Sequence, residues 1–131
     1  MLEGGLMPGR DDRVKETLSG LKAHGIESCA VIRRDGIMVE SEMMIADEEK
    51  EIFAAMTAAM LGAAETVTSE LRQGIPRRVI LEIGGKKLVA VGAGPMVLLA
   101  AVIGAKAQHG TALSEIEKAA SEVKVLMRQK K

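Results

Sequence analysis

From Ile52 to Ala64 the chain runs "IFAAMTAAMLGAA", thirteen residues without a charge, seven of them Ala or Gly. A surface helix keeps a polar face, and one that is apolar on all sides is buried on more than one side or lies in lipid. Thirteen residues fall short of the ~20 needed to cross a bilayer. Such a helix needs a second partner besides its own sheet. Asp47, Glu48 and Glu49 supply an N-cap and an acidic first turn, and Gly74, Ile75 and Pro76 a stop. The expected helix, Glu48 to Gln73, is ~39 Å long, about twice a typical ~20 Å strand.

Placing residues at 100° intervals from Ile52 divides this helix. Phe53, Met56, Met60, Ala64, Val67 and Leu71, with Ile52, form a stripe of mostly large apolar groups that is expected to cover the sheet. Ala55, Ala58, Ala59, Gly62, Thr66 and Ser69 form a second side of small residues, and Ala54, Leu61, Glu65 and Arg72 fill the remaining sector. Alanine is a good helix former and can simply occupy a solvated face. Gly62, however, costs about 1 kcal/mol relative to Ala in a helix interior, and small residues four apart let two backbones approach closely. The small side is therefore expected to meet the same helix of a second copy in a twofold dimer.

The flanking segments define an α+β fold. Val14, Leu18 and Leu21 recur at helical spacing after Asp11 and end at Gly25. Asp35-Gly36 joins "IESCAVIRR" to "IMVESEM", a hairpin signal, with the first strand interior and the second, bearing Glu40 and Glu42, near an edge. Arg77 to Ile83 alternates, with Val79, Leu81 and Ile83 on a covered face and Arg78, Ile80 and Glu82 on an open one. Gly84-Gly85 and Gly94-Pro95 turn into two further strands, of which "MVLLAAVIG" is apolar on both faces and central. Ser114 and Glu117 have capping-box spacing, and Leu113, Ile116, Ala120, Val123 and Met127 stripe a last helix. The order α-β-β-α-β-β-β-α predicts a five-stranded antiparallel sheet with the long helix on one face and two helices on the other. Residues 1–10 are expected to be a loose leader that is not a signal peptide, and 11–131 one domain.

Composition excludes several functions. Lys plus Arg and Asp plus Glu are 18 each, so no basic field attracts nucleic acid or an anionic bilayer, and a single Phe removes stacking platforms for bases. One cysteine, Cys29, in a buried run, suits a reducing cytoplasm. Gly84–Lys87, "GGKK", lacks the rest of a phosphate loop and precedes a strand, and Gly92–Pro95, "GAGP", lacks the third glycine of a dinucleotide fingerprint. Two histidines beside glycines, His24 and His109, do not make a metal set, and Glu48, Glu49 and Glu51 serve a helix dipole. No nucleophile stands beside a base, so neither catalysis nor a cofactor is expected. Arg33 and Arg34, with Arg77 and Arg78, fit either a solvated, protected strand end or contact with phosphate or an acidic partner surface.

Together "GIESCAVIRRDGIMVES", "EIFAAMTAAMLGAAETVTSEL" and "RVILEIGGKKLVAVGAGPMVLLAAVIG" resemble the Roadblock/LC7 family over about Asp11 to Lys130. That resemblance, nearest to its stand-alone prokaryotic members, implies a non-enzymatic dimer in which long helices meet and third strands pair, and which binds small Ras-like GTPases or serves as a scaffold. The interface it implies here combines Ala55, Ala58, Ala59, Gly62, Thr66 and Ser69 with Arg78, Ile80 and Glu82. A different reading gives the chain a small-molecule pocket lined by Met56 and Met60, or a purely structural assembly role.

Overall fold

The structure, a computed structural model, describes residues 9–129, so most of the expected leader lies outside the described residues. Helix α1 (Arg10–Leu21) starts one residue earlier than expected, behind Gly9, and buries Val14, Leu18 and Leu21. A 3-10 turn, Lys22–His24, leads to Gly25 at φ +79°. A Cβ on Gly25 would stand 2.5 Å from the Ala107 Cβ, so both the dihedral and the space demand glycine.

Strands β1 (Ile26–Arg33) and β2 (Met38–Glu42) form the hairpin around Asp35-Gly36, closed by the Arg33 amide donating to the Ile37 carbonyl at 2.8 Å. After the long helix α2 (Asp47–Glu70) come β3 (Arg78–Ile83), β4 (Lys86–Gly92), β5 (Val97–Ile103) and α3 (His109–Leu126). The five strands are antiparallel in the order β2-β1-β5-β4-β3, which puts β5 at the centre and β2 and β3 at the edges. The expected fold is the observed one.

Alternation along β1 and β5 supplies two cores, because successive side chains point to opposite faces. Cys29, Val31, Val97, Leu99 and Ala101 face α1 and α3, whereas Ala30, Ile32, Leu98 and Ala100 face α2. The Cys29 thiol donates to the Leu18 carbonyl at 3.4 Å, and burial pushes its pKa up to about 12.

The helix termini differ from expectation. Ala46, not Asp47, is the N-cap of α2; it has no side-chain oxygen, and the Glu49 carboxylate instead accepts from the Ala46 amide at 3.0 Å. The helix stops at Glu70, with Arg72 at φ +56° and Gly74 at φ +92° reversing the chain. Helix α3 begins before Gly110, where the Gln108 side chain accepts from the Thr111 amide at 2.9 Å. Ser114 therefore lies inside the helix rather than capping it, and Glu117 pairs with Arg78.

The largest correction concerns which side of α2 meets the sheet. Ala54, Ala58 and Leu61 are buried with Ala30, Ile32, Leu98 and Ala100, and Thr57 is buried as well, while Ile52, Met56, Val67 and Leu71 are all more than half exposed. The stripe expected to cover the sheet faces away from it, except for the half-buried Phe53, Met60 and Ala64 at its margin. Size does not report direction in a helix that is apolar all round. Alanines on both surfaces allow α2 to sit close to the strands, and Leu61 fills the remaining space. Strand β3 departs from its expected pattern as well. Val79 is half-buried, but Leu81 and Ile83 on the same side are exposed.

Leu61→Ala is expected to lower unfolding free energy by about 2–5 kcal/mol. Met56→Ala should change it by no more than about 0.5 kcal/mol at dilutions that keep the chain monomeric. Denaturant titration separates the two, and equal losses would overturn the assignment of the faces. Cys29 should resist a thiol reagent at pH 8 until the chain is unfolded. Its thiol is neutral when buried and its folded pKa is raised, so its contribution to stability is full below the ordinary value of 9.0 and is lost as pH climbs toward about 12. Comparing pH-stability curves of the wild type and Cys29→Ala measures this.

Candidate functional site

Ile52, Met56, Ala59, Ala63 and Thr66 line the outward side of α2 at spacings of four, three, four and three residues, the rhythm of a helix-pairing seam. Val67 and Leu71 extend its apolar surface toward the C-terminus, and Phe53 and Met60 sit half-buried at its margin. Beside them a groove of about 490 Å³ runs between α2 and the β3-β4 hairpin, floored by Leu81 and Leu88. Helix face and strand edge thus join in one apolar surface, of the kind that marks an interaction site.

The two sheet edges are built differently. Strand β2 carries Glu40 and Glu42, and its register with β1 shifts between Val31 and Ile32, a bulge that discourages further pairing. Strand β3 pairs residue for residue with β4 from Arg78 to Ile83 without a shift, and Leu81 and Ile83 are exposed on it. Its outer hydrogen-bonding side is a regular edge without a bulge, although Arg78 and Glu82 lie along it.

The sequence-based interface residues do not all reach this surface. Ala58 is 8% exposed and belongs to the core beneath α2. Ala55 lies against the hairpin turn, where a Cβ on Gly36 would come within 3.2 Å of the Ala55 Cα. Gly62 is half-buried and accepts from the Thr66 hydroxyl at 3.1 Å, while Ala59, Thr66 and Ser69 are exposed. On β3, Ile80 and Glu82 are exposed, but Arg78 is drawn across to Glu117 of α3. Leu81, Ile83 and the large side chains of α2, expected on covered faces, belong to this surface, as does Ala63, for which the sequence predicts no face. The four-three spacing alone does not locate the outward side, because the buried Ala54, Ala58 and Leu61 have the same spacing.

The candidate partner-contact arginines are mostly engaged within the chain. Arg33 pairs with Asp35 of its own turn. Arg34 Nη1 donates to Glu65 at 2.8 Å and its Nη2 to the Gly94 carbonyl at 2.9 Å. Arg77 is exposed. His24 Nε2 lies 3.6 Å from Glu115, and His109 Nε2 lies 3.1 Å from the Gly104 carbonyl, so each histidine ties neighbouring elements together. Among the described residues no three His, Cys, Asp or Glu side chains are grouped to hold a metal.

Helix α2, with 24 residues and a mean hydropathy of 1.3 over its most apolar 18, is long and apolar enough to cross a bilayer by length and composition alone, which the count of thirteen uncharged residues did not anticipate. Against a spanning role, Ala54, Thr57, Ala58 and Leu61 are committed to the sheet, and three acidic residues occupy its first turn.

Two uncharacterized proteins of Methanocaldococcus jannaschii are each 29% identical to this chain over 115 residues, covering 88% of it and 97% of the relative. The Roadblock/LC7 domain structure from Streptomyces avermitilis superposes with a TM-score of 0.80 at 18% identity, over 88% of this chain and 98% of that one. The gliding protein MglB from Thermus thermophilus does so with a TM-score of 0.82 at 17% identity, over 92% and 93%. At such identities the two structures attest the fold. The model of the Roadblock/LC7 domain family matches residues 13–103, which span α1 through β5, and the chain belongs to that family.

Proposed function

We propose that this chain is a non-enzymatic, homodimeric regulator or scaffold for a small Ras-like GTPase. The observation that carries the reading is the continuous apolar surface made by the outward side of α2 and the regular edge of β3. A second copy suits it. The stretch Ile52–Ala64 has no charge to repel its own image across a twofold axis, alanines in the seam permit close helix approach, and an antiparallel β3 edge can pair with itself. The groove under Met56 and Met60 opens on this same surface, so a partner copy accounts for it without a small ligand.

The GTPase enters through the family resemblance. Of the four arginines at the hairpin and the start of β3, three are held by Asp35, Glu65 and Glu117. An arginine inserted into the GTPase site is thereby disfavoured for them. The route that remains is conformational: a dimer surface that favours a switch conformation aligning the attacking water. Cytoplasmic residence without cofactor, nucleic acid or membrane insertion completes the proposal.

Light scattering at about 50 μM is expected to show a dimer, and Ala63→Arg should weaken it by about 100-fold or more while circular dichroism stays unchanged. A monomeric wild type at that concentration overturns the dimer. Ras-like GTPases from the same genome should include one whose binding or GTP hydrolysis responds to the dimer. No binding and unchanged hydrolysis across all of them overturns the GTPase reading.

A further inference from the structure

A second cavity, about 640 Å³, opens where the β1-β2 and β4-β5 turns meet the ends of α2 and α3, and it shares no residue with the apolar surface above. Its charged lining is Arg34, Arg77 and Lys124 against the single carboxylate of Glu65. Glu65 is spent on Arg34, and Arg77 and Lys124 have no ion pair among the described residues. Two uncompensated cations thus share one crevice of a chain whose formal charge is zero.

The crevice is shaped by the backbone as well as by charge. A Cβ on Gly92 would stand 2.8 Å from Arg34 Nη2, so the absent side chain is what lets the guanidinium lie there. The Gly94 carbonyl holds that same Nη2, and the Arg34 main-chain amide donates to Met96 at 3.0 Å. Gly94, at φ +89°, also receives the stem of Lys124, whose Cγ would be 3.2 Å from a Cβ there. The "GAGP" segment, which is no dinucleotide fingerprint, therefore positions two cations around one space. The guanidinium has five N–H donors and uses two of them, while its buried Nε meets no acceptor.

We infer that this crevice binds a small phosphorylated molecule by its phosphate group. Two unpaired cations are balanced by a dianion, which a phosphate monoester approaches at neutral pH and a single carboxylate does not. A planar guanidinium suits phosphate oxygens, and the ammonium adds a point charge. Ile75, Pro76 and Pro95 give the cavity an apolar flank for the organic part, and its volume is that of a small-molecule site. The absence of a wider basic field argues against a nucleic acid polymer.

Inorganic phosphate and adenosine monophosphate, titrated separately and followed by amide NMR shifts, test this. Saturable shifts are expected around Arg34, Arg77, Gly92–Gly94 and Lys124. Tighter binding of the ester identifies an organic phosphate as the ligand, and equal binding identifies free phosphate. Arg77→Gln combined with Lys124→Gln, both at exposed positions, should weaken binding by about tenfold or more. Gly92→Ala keeps every charge but displaces the Arg34 guanidinium, and it should weaken binding too. Failure of both probes to saturate, or unchanged affinity in the double variant, overturns the inference. So does binding of a polyglutamate peptide when neither phosphate probe binds, which would assign the crevice to an acidic protein segment. None of these variants lies on α2 or β3, so the dimer measurement stands apart from this one.

Discussion

Ala54 and Ala58 of α2 lie over Ala30 and Ala100 of the two innermost strands it faces, and the rest of the molecule's outward character depends on that contact. Small residues on both surfaces let the helix axis approach the sheet, and Leu61 packs in the same cluster as Ile32 and Leu98. With the sheet side filled by small groups, the large apolar side chains are left outside. The surface that distinguishes the chain is a by-product of how its second core is packed.

Much of the fold was legible because local chemistry and burial agreed. Asp35-Gly36 between β-rich runs, the double-faced apolar run of β5 and the glycine after His24 each made one local demand that the tertiary structure also makes. Helix starts were less legible. Asp47 and Ser114 have N-cap chemistry, yet Ala46 and Gln108 occupy those places, since backbone path and Glu49 decide the first and the Gln108 side chain the second. The faces of α2 were illegible from size alone, and the interface residues inherited that error: Ala58 went to the core, and Ile52 and Met56 came out of it. Arg78 and Glu117 illustrate another limit, because a strand-to-helix pair 39 residues apart leaves no mark in either local pattern.

Charged pairs connect the layers without carrying the fold. Arg34–Glu65 ties the first hairpin to α2, Arg78–Glu117 ties β3 to α3, and Lys86–Glu27 ties β4 to β1. Such partly exposed pairs contribute modestly, on the order of 1 kcal/mol or less each. Their larger effect is to fix where cations stand. Arginines that look alike in sequence become structural or available according to whether a carboxylate from another element reaches them.

The unequal edges of the sheet set a limit on growth. A strand edge that accepts a neighbour invites another beyond it, which is the route to fibrils. In the proposed dimer an addition at β3 would bury the receptive edge of each copy and turn the two β2 strands outward as the new ends. Those ends carry Glu40, Glu42 and the shifted register. In that arrangement, joining once would remove the means of joining again along the sheet, and the bulge in β2 would act as a terminator that keeps association finite.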